Sequence, residues 1–350
     1  MRAGLLLQQK QQTIDAFERF LTRGAEPQWP LEVFLEVSNV RNLSCAMCGP
    51  FSALNENRLL ALAEQERGFL DLDQLERSLE PVLQHALLVH AFGYGEPTVH
   101  PRFLHLLERL SAHEVMIDFI TNGQRLSEVL CERLVDLQVA AVTVSASGST
   151  RDDYESIYLG GDFGRLLQGL TAMAAEKAKR HSAFPIVTVN SIGLRHHINT
   201  LPEFVDLMAD HGVNVIEVKK LMDDVPMMQG HAAAYDPEVE RTLHDARVRA
   251  AARGVLLSTE QFARESAASV ADPIVPLADL LRPRPGDAHH RRVIERVGGQ
   301  RLDVPLRDRS HVPADGGGGQ RLAGRLPLAV HQRQPAPLLQ PLEEPQDRHR

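Results

Sequence analysis

The chain has 350 residues, 43% of them hydrophobic, with a net charge of −8 and three cysteines. That is enough apolar material for a large core, and one α/β barrel with an appendage fits the length as well as two domains do. The acidic balance disfavours a nucleic-acid-binding surface, and three cysteines are too few for a disulfide framework, so a Cys pair points to metal, cluster or redox chemistry.

The leucine run in the N-terminal MRAGLLLQQKQQ is too short for a signal-peptide core. No window reaches the apolar length of a membrane span, and the chain reads as cytoplasmic. TIDAFERFLTR at 13–23 has apolar positions at helical spacing, a Thr to cap its start and Gly24 to stop it, which predicts a short helix in an N-terminal extension, 1–30. From residue 31, β-rich apolar runs alternate with amphipathic segments. Strands are expected at 31–38, 85–93, 115–122, 140–147, 185–194 and 213–221, with helices at 71–84, 101–110, 126–137, 163–180 and 201–212. Repeated strand, crossover helix and strand build a parallel sheet, as a six-unit partial barrel or an open doubly wound sheet.

In either architecture ligands gather at the carboxyl ends of the strands. Those ends carry Cys45-Ala-Met-Cys48, FGYGEPTVHP at 92–101, TNGQ at 121–124 and SASG at 145–148. Polar and glycine-rich residues therefore share one rim, which places a pocket there. After this core, 31–225, DPEVERTLHDARVRAAARGVLLS (236–258) predicts a helix and a strand within an extension, 226–275.

The last part, 276–350, differs in kind. Residues 281–350 contain no Phe, Tyr, Trp, Cys, Met, Lys, Asn or Thr but 13 Arg, 9 Pro, 8 Gly and 5 His. With 8 Asp and Glu this stretch is +5, which leaves −13 for residues 1–280. Too few large apolar groups remain to offset ordering entropy, so a disordered tail is expected. It reads either as a basic tail for RNA or an acidic partner, or, as we favour, as out-of-frame translation of a GC-rich gene.

A bare C-x-x-C serves zinc, thiol redox and cluster ligation alike. Here its context is SNVRNLSCAMCGP (38–50), directly after a strand. This phrase resembles that of the radical S-adenosylmethionine (radical SAM) superfamily, N-x-C-N-L-x-C-x-M-C, except that Arg41 stands at the first cysteine. The resemblance extends over roughly 31–225. FGYGEPTVHP is similar to the superfamily's Gly-Glu-Pro motif, ITNG (120–123) to its third-strand segment, and Ser145 to its fourth-strand polar position.

The resemblance implies a partial (β/α)6 barrel, a [4Fe–4S] cluster and S-adenosylmethionine as cofactors, and hydrogen abstraction from a peptide or small-molecule substrate. It also implies an electron donor such as flavodoxin or ferredoxin. Its cluster ligands would include Cys45 and Cys48, and its S-adenosylmethionine site Gly93, Tyr94, Gly95, Glu96, Pro97, Thr121, Asn122 and Ser145. Members of the SPASM type append a second cluster domain, but no cysteine follows Cys131 here.

A guanidinium has only donors and cannot bind iron, so Arg41 marks a lost ligand and makes the activity of this chain doubtful. The alternative is a non-catalytic binding protein, or a degenerate copy, that keeps the barrel and uses the basic tail for a partner. A zinc or thiol-redox module would need further ligands at suitable spacing, which the sequence does not supply. Cys131, among Leu130 and Leu134, reads as helix packing rather than a replacement ligand. His196 and His197 read as a solvated loop, and GGDF at 160–163 as a loop and helix start.

Overall fold

The computed structural model describes residues 2–48, 52, 68–221, 231–233, 236–259 and 262. The expected disordered tail, 276–350, lies outside these residues, as do 226–230, 234–235, 260–261 and 263–275 of the extension. The N-terminal helix α1 (Arg2–Arg23) begins well before residue 13. Its inward stripe is Leu6, Lys10 and Thr13, and the Lys10 ammonium donates to the Leu83 and Ala86 carbonyls at 3.3 and 2.5 Å.

Seven strands follow: β1 (Glu32–Phe34), β2 (Leu88–His90), β3 (Met116–Thr121), β4 (Ala141–Ser145), β5 (Ile186–Gly193), β6 (Val215–Lys220) and β7 (Leu256–Ser258). All pair in parallel, each with its neighbour in sequence, in the order β1 to β7. Between them run α2 (Leu72–Leu83), α3 (Phe103–Ser111), α4 (Glu128–Asp136), α5 (Arg151–Ile157), α6 (Phe163–Lys179), α7 (Leu201–Asp210) and α8 (Pro237–Arg253). Sequential order with right-handed crossovers puts the helices that carry the chain from one strand to the next on one face of the sheet, which is barrel winding and not double winding. The six expected strands are all present, and the strand of the 236–258 segment joins them as a seventh.

Strand alternation sorts the faces. Val89, Ile117, Phe119, Val142, Val144, Val187 and Val189 are buried, and Phe119 meets Phe103 of α3 edge-on at 5.1 Å. Each such buried side chain contributes roughly 1.5–3 kcal/mol. The other face carries Phe34, His90, Asp118, Ser145 and Asn190, which remain half-buried or exposed.

Side-chain caps fix where the helices begin. Asp71, Ser127, Thr150, Asp162 and Asp236 each accept from a first-turn amide of α2, α4, α5, α6 and α8, respectively. Asp162 and Phe163 therefore start α6, as the GGDF reading anticipated. Cys131 is fully buried in α4, with its thiol directed at the Gly169 carbonyl of α6 at 3.7 Å. Burial pushes it up to about 12. Among the described residues no helix is long and apolar enough to cross a membrane.

Candidate functional site

Beyond Phe34 the chain leaves the sheet and bends at Ser38, whose hydroxyl accepts from the Val40 amide at 3.0 Å. The cysteine loop follows. Its backbone is sewn to the end of α5 by Ser44 N to Leu159 O at 3.0 Å and Ala46 N to Ile157 O at 2.7 Å. The α5 segment, which periodicity did not reveal, is thus one wall of the site. Tyr154 and Tyr158 on that wall stack at 4.7 Å, and burial raises both phenols well above their ordinary value.

Arg41, Cys45 and Cys48 do come together. The Arg41 Nη1 donates to the Cys48 Sγ at 3.0 Å, so the guanidinium sits against one of the two remaining thiols. Burial pushes the Cys45 thiol up to about 11, Cys48 adds to the rise and Arg41 opposes it.

The second rim segment packs on the first. Gly95 lies so close to the chain that an added Cβ would stand 2.0 Å from Ser38 O, and at Gly93 it would stand 2.7 Å from the Glu36 side chain. Neither glycine has a positive φ, so their small size serves close approach of the protein to itself. Tyr94 is exposed, and its amide donates to Glu36 Oε1 at 2.8 Å. Pro97 opens a short 3-10 helix, Pro97–Val99, capped by Glu96.

Glu96 is only 5% exposed and binds the rim together. Its Oε1 accepts from the Thr98 amide at 3.1 Å and from the Thr98 and Thr121 hydroxyls at 2.5 and 2.7 Å. Its Oε2 accepts from the Asn122 amide at 2.8 Å. Asn122 Nδ2 then reaches Asn42 Oδ1 of the cysteine loop at 2.7 Å. The ends of β2 and β3 and the cysteine loop therefore form one connected network. Ser145 stands apart from it, paired in register with Asn190 of β5.

His196 is exposed as expected, but His197 is not in a solvated loop. It is 5% exposed, packed where β5 turns toward α7, and burial with His196 beside it pushes it down to about 4. A small ring on a short loop, pulled under by Ile198 and Leu201, escaped a reading based on local polarity.

A site-differentiated [4Fe–4S] cluster needs three thiolates, leaving one iron open. The loop offers two, and the position of the third holds a cation that donates to Cys48. Among the described residues there is no group of three His, Cys, Asp or Glu able to hold a metal. This donor set does not fit the cluster.

A parallel sheet wound in one sense, with a cysteine loop and a Gly-Glu-Pro segment on its carboxyl rim, defines a partial α/β barrel built for a ligand at that rim. Residues 36–208 match the Radical SAM superfamily, and this part of the chain is a radical SAM domain. Proteins of that superfamily use a [4Fe–4S] cluster and S-adenosylmethionine.

The chain is 26% identical over 202 residues to the mycofactocin maturase MftC of Mycobacterium tuberculosis, covering 58% of this chain and 46% of that one. It is 24% identical over 218 residues to a tungsten-containing aldehyde ferredoxin oxidoreductase cofactor-modifying protein of Pyrococcus furiosus, covering 60% and 56%. The chain thus spans about half the length of the curated relatives it matches. Among solved structures, Streptococcus suis SuiB bound to S-adenosylmethionine superposes with a TM-score of 0.53 at 15% identity, over 75% of this chain and 58% of that one. SuiB bound to the precursor peptide SuiA gives the same TM-score and identity. These likenesses establish the fold.

Proposed function

We propose that this chain is a radical SAM-type peptide-binding protein in which Arg41 has taken the place of the cluster, so that reductive cleavage of S-adenosylmethionine is lost. The observation that carries the reading is the 3.0 Å contact from Arg41 Nη1 to Cys48 Sγ. A permanently protonated guanidinium offers donors only and has no lone pair with which to replace a thiolate on iron. The peptide as ligand is supported by SuiB, whose structure was obtained with a precursor peptide. In this reading Gly93, Tyr94, Gly95, Glu96 and Pro97, with Thr121, Asn122 and Ser145, remain as the rim that S-adenosylmethionine would occupy in an active relative.

The test is anaerobic reconstitution with iron and sulfide, followed by iron counting and absorption spectra with and without S-adenosylmethionine. The native chain is expected to retain little iron, and Arg41→Cys to approach about four irons per chain. With a reduced flavodoxin or ferredoxin, Arg41→Cys should also yield 5′-deoxyadenosine. A native chain that holds about four irons, with a spectrum that responds to S-adenosylmethionine, would refute the loss. No iron gain in Arg41→Cys would refute the descent of position 41 from a ligand.

A further inference from the structure

With no cluster to ligate, the two sulfurs of the cysteine loop are left to each other. Cys45-Ala-Met-Cys48 is closed by a hydrogen bond from the Cys48 amide to the Cys45 carbonyl at 3.1 Å. This is the bond of a β-turn with Cys45 first and Cys48 fourth, which holds the two Cα atoms within about 7 Å. A disulfide spans about 4.4–6.8 Å between Cα atoms, so the turn brings the pair into bridging range.

The turn is anchored on both sides. The Ser44 and Ala46 amides are tied to the end of α5, and the Ser52 amide donates to the Cys48 carbonyl at 2.7 Å. Closing a bond across a turn already held in place orders little more of the chain. Both thiols are half-buried and not sealed, and they lie near enough for a charge on Cys48 to act on Cys45. Cys131, by contrast, is fully buried in α4. Arg41 Nη1 stands 3.0 Å from Cys48 Sγ, where it donates to negative charge as it builds on that sulfur. The want of further ligands counts against zinc, but a disulfide needs only these two sulfurs.

We propose that Cys45 and Cys48 form a reversible dithiol/disulfide couple, with the Arg41 guanidinium assisting at Cys48. The oxidant is a small-molecule disulfide, RSSR. The Cys48 sulfur attacks one sulfur of RSSR, the RS–SR bond breaks, and a mixed disulfide forms as the first RS group leaves. Cys45 then attacks the Cys48 sulfur of the mixed disulfide and expels the second. The protons of the two cysteine thiols end on the released groups, so the protein loses two electrons and RSSR becomes two RSH. Excess thiol runs the steps backwards. The couple rests on the loss of the cluster proposed above, since sulfurs bound to iron cannot pair with one another.

The full chain, reduced under anaerobic conditions, is equilibrated with mixtures of reduced and oxidised glutathione, quenched in acid, alkylated in denaturant and digested with trypsin. Cleavage after Arg41 and Arg58 places both loop cysteines on one peptide, 42–58, and Cys131 on another. Peptide 42–58 is expected to pass in a single step from carrying two alkyl groups to carrying none, while Cys131 stays alkylated. The same titration in urea should need a larger share of oxidised glutathione, because the turn is lost. Cys45→Ser should accumulate a glutathione adduct on Cys48, which the native chain resolves. Arg41→Gln should slow the reaction of the reduced chain with oxidised glutathione on the order of tenfold, followed by intact mass.

A 42–58 peptide that keeps both alkyl groups at the highest ratio, or that carries only glutathione adducts, would overturn the couple. The same midpoint in urea would overturn the part played by the turn, and an unchanged rate in Arg41→Gln the part played by the guanidinium. Iron counted on the reduced, reconstituted chain separates the two readings. About four irons would refute the loss of the cluster and this couple with it, whereas little iron and no disulfide would overturn the couple alone.

Discussion

Replacing Glu96 tests whether the rim is held by protein or shaped for a cofactor alone. The carboxylate is 5% exposed and accepts four hydrogen bonds, two from backbone amides and two from hydroxyls. Hydrogen bonds to a charged group contribute about 1.5–3 kcal/mol each, and a buried donor left without a partner costs about 1–3 kcal/mol. The two threonine hydroxyls can turn toward other acceptors, so part of the loss is recovered. The amides of Thr98 and Asn122 cannot turn. Glu96→Ala should therefore lose about 3–5 kcal/mol, a large share of the ~5–15 kcal/mol typical of a domain. Glu96→Gln keeps one acceptor but sets an NH2 group against a donor, and should lose about 2 kcal/mol. Urea unfolding followed by far-UV circular dichroism measures both. Stability of Glu96→Ala within about 0.5 kcal/mol of the native chain would refute the network reasoning.

The glycines separate in the same way. Gly95→Ala places a Cβ 2.0 Å from a backbone oxygen and should lower stability by about 3 kcal/mol, whereas Gly93→Ala meets only the movable Glu36 side chain and should cost clearly less. Thermal melts of the two variants give the comparison. His197 is held neutral: its folded value is about 4 against 6.5 for the free side chain. The unfolded chain therefore takes up the proton first, and stability is lost as pH falls from about 6.5 to about 4, by an amount on the order of 3 kcal/mol. Urea midpoints at neutral pH and near pH 4 should show this loss, with a shallower fall in His197→Gln.

The alternation of β-rich and amphipathic runs was sufficient to place six strands, because both faces of a parallel sheet lie under strong and different demands. It overshot the ends. Residues 36–38 and 92–93 continue the strand pattern but peel away from the ladder to meet one another, through contacts such as Gly93 on Glu36. The first half of α1 was hidden because its buried stripe includes Lys10 and Thr13, polar residues satisfied by carbonyls and by His85 from distant positions. The brief α5 was hidden because DDYESI offers only Tyr154 and Ile157 to the core. At the site, the cysteines, the Gly-Glu-Pro segment and Asn122 were legible as motif letters. The hydrogen bond between His90 of β2 and Asp118 of β3 was not, since two ordinary inward positions on different strands become a pair only through register.

Each strand of the sheet pairs only with its neighbours in sequence, and the last pairing is made by Ser258. Such an order keeps the contact separation short for a parallel sheet and lets pairing advance with synthesis, each new strand adding to an edge already formed. A lesion that scrambles the message downstream of β7 would leave all seven strands of the sheet in frame. A lesion of the same kind upstream of β4 would instead remove the central strands on which the outer ones depend.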